Sequence, residues 1–218
     1  MKNVLIIGLG RFGRHMALRM QDLGNDVLAV EVNEDTANEM VGKIPNLQIA
    51  DATNPQVIES LGINDFDLCV VTIEENFQAA LIVTYLLHEA GAKYIIARAA
   101  RDMYRKLLLH NGADYVVYTE RDEAEKLAIR FGARNVFDYN ELSTNLGIYE
   151  IATPSSWVGH SILDLKVRSV YAIEILAFQQ GGGDVEQILN PDFLFTKDMH
   201  LFVIGSPDAI RKITKNKM

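Results

Sequence analysis

Val4-Leu5-Ile6-Ile7-Gly8-Leu9-Gly10-Arg11-Phe12-Gly13 is the stretch that decides the fold. Four apolar residues, three of them β-branched, read as a buried strand, and the glycines that follow have G-x-G-x-x-G spacing. In that setting Gly8 permits a tight turn, Gly10 lets backbone approach a diphosphate, and Gly13 lets the next helix sit closely on the sheet. The helix that opens there offers free N–H donors and the positive end of its dipole to phosphates. The glycine spacing alone is a weak signal; its place between a strand and a helix gives it weight. Eighteen residues past Gly13 comes Glu31, at the end of the next strand with Val32 beside it. A carboxylate there accepts hydrogen bonds from ribose hydroxyls and repels a 2′-phosphate, which disfavours NADP.

Working outward, β-branched runs alternate with amphipathic stretches. Strands are expected at Val4–Ile7, Asp26–Val30, Leu47–Ala50, Leu68–Thr72, Tyr94–Ala97 and Tyr115–Tyr118. Helices are expected from Phe12 to Leu23, from an Asn33 cap to Gly42, and over Pro55–Leu61, Asn76–Ala90 and Asp102–His110. The strands are continuous apolar runs, so both faces are covered, and the strand–helix–strand order implies a Rossmann-like, doubly wound parallel sheet. A further helix spans Glu120–Phe131, and Asn135–Asn145 reads as a connector. From Leu146 the order is strand, short helix, strand, a Gly181–Asp184 turn, strand, helix, a small α+β lobe. Its last strand is His200–Ile204 and its last helix Asp208–Lys215, opened by Pro207. The division expected is 1–118, a nucleotide-binding domain; 119–140, a helix and connector; and 141–218, the second lobe.

Composition narrows the function. The 218 residues are 49% apolar and 23% charged, and 21 Lys and Arg against 29 Asp and Glu leave a net charge of −8. An acidic chain is poorly suited to a phosphate backbone, so no nucleic-acid partner is expected. The lone Cys69 excludes a disulfide framework or a CxxC motif. The longest uncharged apolar run, Asn76–His88, is shorter than the ~20 residues a bilayer span requires. No secretory signal is read before the first strand, so a cytoplasmic location is expected.

The glycine signature specifies adenosine ribose and diphosphate, not hydride transfer. Enzymatic use of a nicotinamide needs a proton donor or acceptor at the ring. No tyrosine has Lys four residues later, and the five histidines form no i, i+3 or i, i+4 pair. No catalytic residue is therefore assigned. Arg11 lies inside the glycine loop, where the helix dipole disfavours a cation. It is read as reaching terminal phosphates, of its own site or a neighbouring subunit's, against the alternative of a solvated helix-end arginine. Other polar loops fall at strand ends, where doubly wound sheets bind ligands. Asp51-Ala52-Thr53 is placed at the adenine edge and Thr72-Ile73-Glu74 at the phosphate or ring. Arg98 follows the fifth strand and Glu120 the sixth.

These residues together resemble the KtrA/TrkA family, cytosolic regulatory subunits of bacterial potassium uptake systems built on RCK (regulator of potassium conductance) domains. The resemblance is carried by GLGRFG at Gly8–Gly13, LAVEVNE at Leu28–Glu34 and ADATN at Ala50–Asn54. SLGINDFDLCVVTI at Ser60–Ile73 and NGADYVVYTERD at Asn111–Asp122 add to it, with Gly159–Leu165 plus Arg168 and Lys197–Gly205 in the second lobe. It implies a non-catalytic regulator whose dimers form an octameric ring, alone or with a paralogous RCK subunit. The ring docks on an integral-membrane potassium-translocating subunit, at the inner face of the membrane. ATP and ADP are the implied ligands, AMP and NAD(H) further candidates. Gly8, Gly10 and Gly13 would hold phosphates, Glu31 the ribose, and Asp51, Ala52 and Thr53 would sit near the adenine, with Leu9, Phe12 and Val32 also among the cofactor-binding residues. Arg11 would reach a γ-phosphate across a subunit interface, and Glu120 would bind Mg²⁺ or Ca²⁺ between paired subunits. Asn76–Ala90 fits a ring-assembly face and Glu120–Phe131 a helix exchanged between paired subunits. Ile162, Asp164, Leu165, Val167, Arg168 and Tyr171 resemble part of the pattern by which some relatives bind cyclic di-AMP, a ligand left open here. Position 31 is Glu where many relatives carry Asp. Two alternatives remain: an NAD(H)-dependent oxidoreductase or redox sensor, and an assembly module with a structural nucleotide.

Overall fold

Alternate residues of the first strand serve two cores, and that makes the sheet the middle layer of a sandwich. In the computed structural model, which describes residues 1–132, 135–143, 145–188, 190 and 192–214, the chain divides into two compact units, Met1–Glu120 and Arg121–Met218. The first contains β1 (Asn3–Ile7), α1 (Arg11–Asp22), β2 (Asp26–Glu31), α2 (Glu34–Asn38), β3 (Asn46–Ile49) and α3 (Pro55–Ser60). A 3₁₀ turn (Ile63–Asp65), β4 (Leu68–Val71), α4 (Phe77–Glu89), β5 (Ile95–Arg98), α5 (Asp102–His110) and β6 (Tyr115–Val117) follow, and α6 (Thr119–Gly132) begins at its end. The strands are parallel in the order β3-β2-β1-β4-β5-β6. Leu5 and Ile7 join Cys69, Val71, Val83 and Leu87 in one core. Val4 and Ile6 join Val27, Ala29, Val70, Ala17 and Met40 in the other.

Helix starts are set by asparagines. The Oδ1 atoms of Asn33, Asn54 and Asn76 accept hydrogen bonds from the backbone N–H of Thr36, Gln56 and Ala79, at 2.9, 3.0 and 3.0 Å. Each satisfies one of the donors a helix start leaves unpaired. The helix expected from Asn33 to Gly42 stops earlier, at Asn38. Beyond it the backbone closes i→i−3 turns, Met40 to Ala37 and Lys43 to Met40, which turn the buried Met40 and Ile44 into the core. β1 and β4 are neighbours, yet the chain winds from β1 toward β3 and from β4 toward β6. The crevice at their C-terminal ends is the switch point where such sheets take ligands.

The second unit is an antiparallel sheet, β10-β9-β11-β8-β7. Its elements are β7 (Val136–Ser143), β8 (Leu146–Ala152), α7 (Ile162–Leu165), α8 (Val167–Tyr171), β9 (Ile173–Gln180), β10 (Val185–Glu186), β11 (Met199–Gly205) and α9 (Pro207–Thr214). Its core gathers Trp157, Phe195, Ile151, Leu201 and Val203. The expected connector Asn135–Asn145 is corrected: residues 136–143 form β7, an edge strand paired with β8 from Val136–Ile151 to Ser143–Leu146. Its polar residues are exposed because an edge strand buries little. Residue 215, the expected end of the last helix, lies outside the described residues.

Ser161 and Asp164 form a reciprocal capping box at α7. Hydrogen bonds from the Ser161 backbone N–H and hydroxyl hold the Asp164 carboxyl below its usual range. A depressed carboxyl contributes stability above its unfolded pKa and loses it as pH falls through the folded value, so this cap is intact at neutral pH and fails only in acid. Among the residues resembling a cyclic di-AMP pattern, Asp164 is thus occupied as a cap. Arg168 pairs with Glu174, and Tyr171 lies 5.1 Å from the Trp157 ring. Among the described residues no helix is long and apolar enough to cross a membrane.

Candidate nucleotide-binding site

The glycine loop is shaped by what a side chain would strike. Gly8 has φ +97°, a region that favours glycine. A Cβ on Gly13 would stand 2.1 Å from the Gly8 carbonyl oxygen and 2.5 Å from Thr72 Oγ1. At Gly10 a Cβ would meet nothing within 4 Å. Gly8 and Gly13 are therefore required by the protein itself, whereas at Gly10 no protein atom of the structure demands glycine. No side chain caps α1 at Gly10, so its first-turn donors face the space over it.

Two side chains from other strands brace the loop. The Thr72 hydroxyl donates to the Gly8 carbonyl at 2.6 Å. Glu31 is 8% exposed, and its carboxylate accepts the Leu9 N–H at 2.5 Å and the Asn33 N–H at 2.8 Å. Both bonds are charge-assisted, which makes them stronger than neutral ones. Thr72→Val, nearly isosteric, removes the hydroxyl donor and is expected to cost ~1 kcal/mol in urea denaturation, the usual worth of one intramolecular hydrogen bond.

The crevice above β1, β2 and β4 is a cavity of about 680 Å³, within the range typical of small-molecule sites. Its walls include Gly8, Gly10, Arg11, Glu31, Val32, Ala52, Thr72, Ile73 and Glu74. Arg11 is exposed at the mouth, and among the described residues no carboxylate forms an ion pair with it. Leu9 and Gly13 are buried beneath the loop. Phe12 lies under the Arg98 guanidinium, 5.5 Å from its ring centroid. Asp51 and Thr53 are not among the walls: Thr53 donates to the Asp51 carboxylate from its N–H at 2.9 Å and its hydroxyl at 2.7 Å. Those bonds hold the Asp51 carboxyl below the usual range.

Arg98 and Glu120 also stand outside the walls. Arg98 pairs with Glu74 and, at 2.8 Å, with Glu120 Oε1. Glu120, the expected cation ligand, is thus held by an arginine. Among the described residues no group of three His, Cys, Asp or Glu could hold a metal ion. Arg14 and Thr36 are walls that the sequence reading missed. Arg14 donates to the Leu9 carbonyl at 3.2 Å and pairs with Glu39 at 2.9 Å. Its spacing of three from Arg11, which puts both on one helix face, was the available signal.

Cys69 is fully buried in β4, and burial pushes its thiol up to about 12. A thiol held protonated is a poor nucleophile. Cys69 in the folded protein is expected to resist alkylation by iodoacetamide at neutral pH and to react at the rate of unfolding in urea.

Residues 4–119 match the TrkA-N domain family and residues 146–217 the TrkA-C domain family. The chain is 36% identical over 214 residues to Ktr system potassium uptake protein C of Bacillus subtilis (strain 168), covering 98% of this chain and 96% of that one. It is 32% identical over 217 residues to Ktr system potassium uptake protein A of the same organism, covering 100% and 97%. Among solved structures, the GsuK channel bound to NAD matches with TM-score 0.69 at 18% identity, over 99% of this chain and 40% of that one. The GsuK RCK domain matches with TM-score 0.67 at 17% identity, over 99% and 48%. This chain thus spans less than half of those two, and the likeness establishes a shared RCK fold.

Proposed function

This chain belongs to the TrkA-N/TrkA-C family of potassium uptake proteins, and from that premise we propose that it is the nucleotide-sensing regulatory subunit gating a membrane potassium transporter. The observation that carries this reading is the open cradle over Gly10, with uncapped α1 donors at its floor and Arg11 at its mouth. Backbone donors at a helix start suit a diphosphate, and an exposed cation beside them suits a further phosphate. Two relatives carry names of the Ktr potassium uptake system, which supports potassium transport as the process regulated. In this reading the subunit works in the cytoplasm as dimers within an octameric ring, by itself or with a paralogue, docked on an integral-membrane subunit.

Gating follows from differential binding. A ligand shifts a ring between two shapes only by binding one more tightly. The γ-phosphate gives ATP a contact with Arg11 that ADP lacks, from the same subunit or its neighbour. The usual coupling range, ~1–3 kcal/mol per site, is enough to bias such an equilibrium. The cavity walls offer carboxylates but, among the described residues, no histidine, tyrosine, lysine or cysteine. This favours a regulator over an NAD(H)-dependent oxidoreductase, and the protonated Cys69 gives no support to a thiol redox sensor.

The test is small-angle scattering of nucleotide-stripped protein with ATP and with ADP, beside thermal unfolding with each. The expected result is a different ring dimension for the two nucleotides, with Arg11→Ala removing the difference while ADP binding persists. Equal affinities and identical scattering for ATP and ADP would overturn the reading.

A further inference from the structure

The cavity is one-sided. Its walls come from the β1–α1 loop, the β2–α2 segment, the residues after β3 and the β4–α4 loop, and no wall residue comes from the ends of β5 or β6. On a doubly wound sheet of this strand order, one mononucleotide lies over the β1–β3 half. The second half of a dinucleotide continues past the switch point, over the ends of β4 to β6. That second half of the crevice is where Arg98 sits.

Arg98 is the last residue of β5, and its side chain is 10% exposed. Its guanidinium bonds Glu74 in the cavity wall and Glu120 Oε1 in the first turn of α6, and it covers the Phe12 ring of the glycine loop. Its Nε is buried with no hydrogen-bond partner among the described residues. Opening the bridge leaves the largely buried Arg98 guanidinium without a partner, a cost borne by the arginine because Glu74 and Glu120 keep their access to water. The end of the crevice is therefore closed by a bridge that a second nucleotide half would have to break.

We propose that Arg98 is a specificity-determining residue: by tying Glu74 to Glu120 it closes the β5–β6 end of the crevice and makes the site select adenine mononucleotides over dinucleotides. This rests on the reading of the cavity as an adenine-nucleotide site. The bridge acts by occupying space and by holding Glu74 in place, so Arg98 itself need not touch the mononucleotide.

The experiment is calorimetric titration of the full chain with ADP and with NADH, for the natural sequence, Arg98→Ala and Glu74→Ala. Glu74→Ala cuts the same bridge at a carboxylate more exposed than Arg98 and leaves Arg98 paired with Glu120, so it serves if Arg98→Ala does not fold. The expected result is ADP bound at least about tenfold more tightly than NADH, a difference of 1.4 kcal/mol, with the ratio falling by about tenfold in the variants. NADH binding as tight as ADP in the natural sequence, or an unchanged ratio in the folded variants, would overturn the proposal while leaving the nucleotide site standing. Binding of neither ligand by the natural sequence would overturn the site and the proposal together.

Discussion

Gly13→Ala is expected to destabilise the first unit by about 3 kcal/mol and to abolish nucleotide binding. Position 13 lies inside α1, where alanine ordinarily gains up to ~1 kcal/mol over glycine. Here the added Cβ would stand 2.1 Å from a backbone oxygen and 2.5 Å from the hydroxyl that braces that same oxygen. Neither atom is the end of a flexible chain, so helix or loop must shift, and overpacking of this kind costs ~1–3 kcal/mol or more. The clash outweighs the helix gain. Thermal unfolding should show a midpoint lowered by roughly 6–12 °C, on the scale of ~2–4 °C per kcal/mol for chains of this size. Gly10→Ala is the matched control. Its Cβ enters open space, so the midpoint should hold while ADP affinity falls, because the methyl occupies the room a diphosphate needs. A Gly10→Ala protein that binds ADP normally would show that the cradle is not a phosphate site.

Glu31→Ala is expected to have the second-largest effect. The substitution strips the acceptor from two backbone donors at once, and one of them, on Leu9, belongs to a fully buried residue. Leaving a buried donor unsatisfied costs ~1–3 kcal/mol, more where the lost partner was charged. Urea denaturation should therefore show a loss of about 2–3 kcal/mol, with ADP affinity falling at least about tenfold as loop and ribose acceptor are lost together. Glu31→Gln separates the two roles. Its amide can accept from one donor but turns N–H toward the other, so it should fall between alanine and the natural residue on both measures. If Glu31→Ala leaves stability unchanged, the bracing role assigned to Glu31 is wrong.

Much of the first unit was legible in the sequence because its signals are local. Val4–Ile7 is apolar throughout since both sheet faces are covered. Asn33 marks a helix start because its side chain bonds a donor three residues on; Asn54 and Asn76 cap α3 and α4 in the same way. Residues 136–143 escaped because the strand's exposed polar residues mask a period of two, and its strand character comes from pairing with β8. The pattern from Asn33 to Gly42 has the signals of one helix, but the residues beyond Asn38 form turns that bury Met40 and Ile44, a tertiary demand.

The sequence by itself determined a strand, a glycine turn and a helix start, and placed Glu31, Thr72, Arg98 and Glu120 near strand ends. It did so because periodicity, capping and glycine conformation act over a few residues. Only the tertiary structure decided which of those groups meet. Glu31 bonds Leu9 across 22 residues, Thr72 bonds Gly8 across 64, and Arg98 joins Glu74 and Glu120 across 24 and 22. Such contacts depend on which parallel strands lie side by side, a property of the whole sheet that no local stretch encodes.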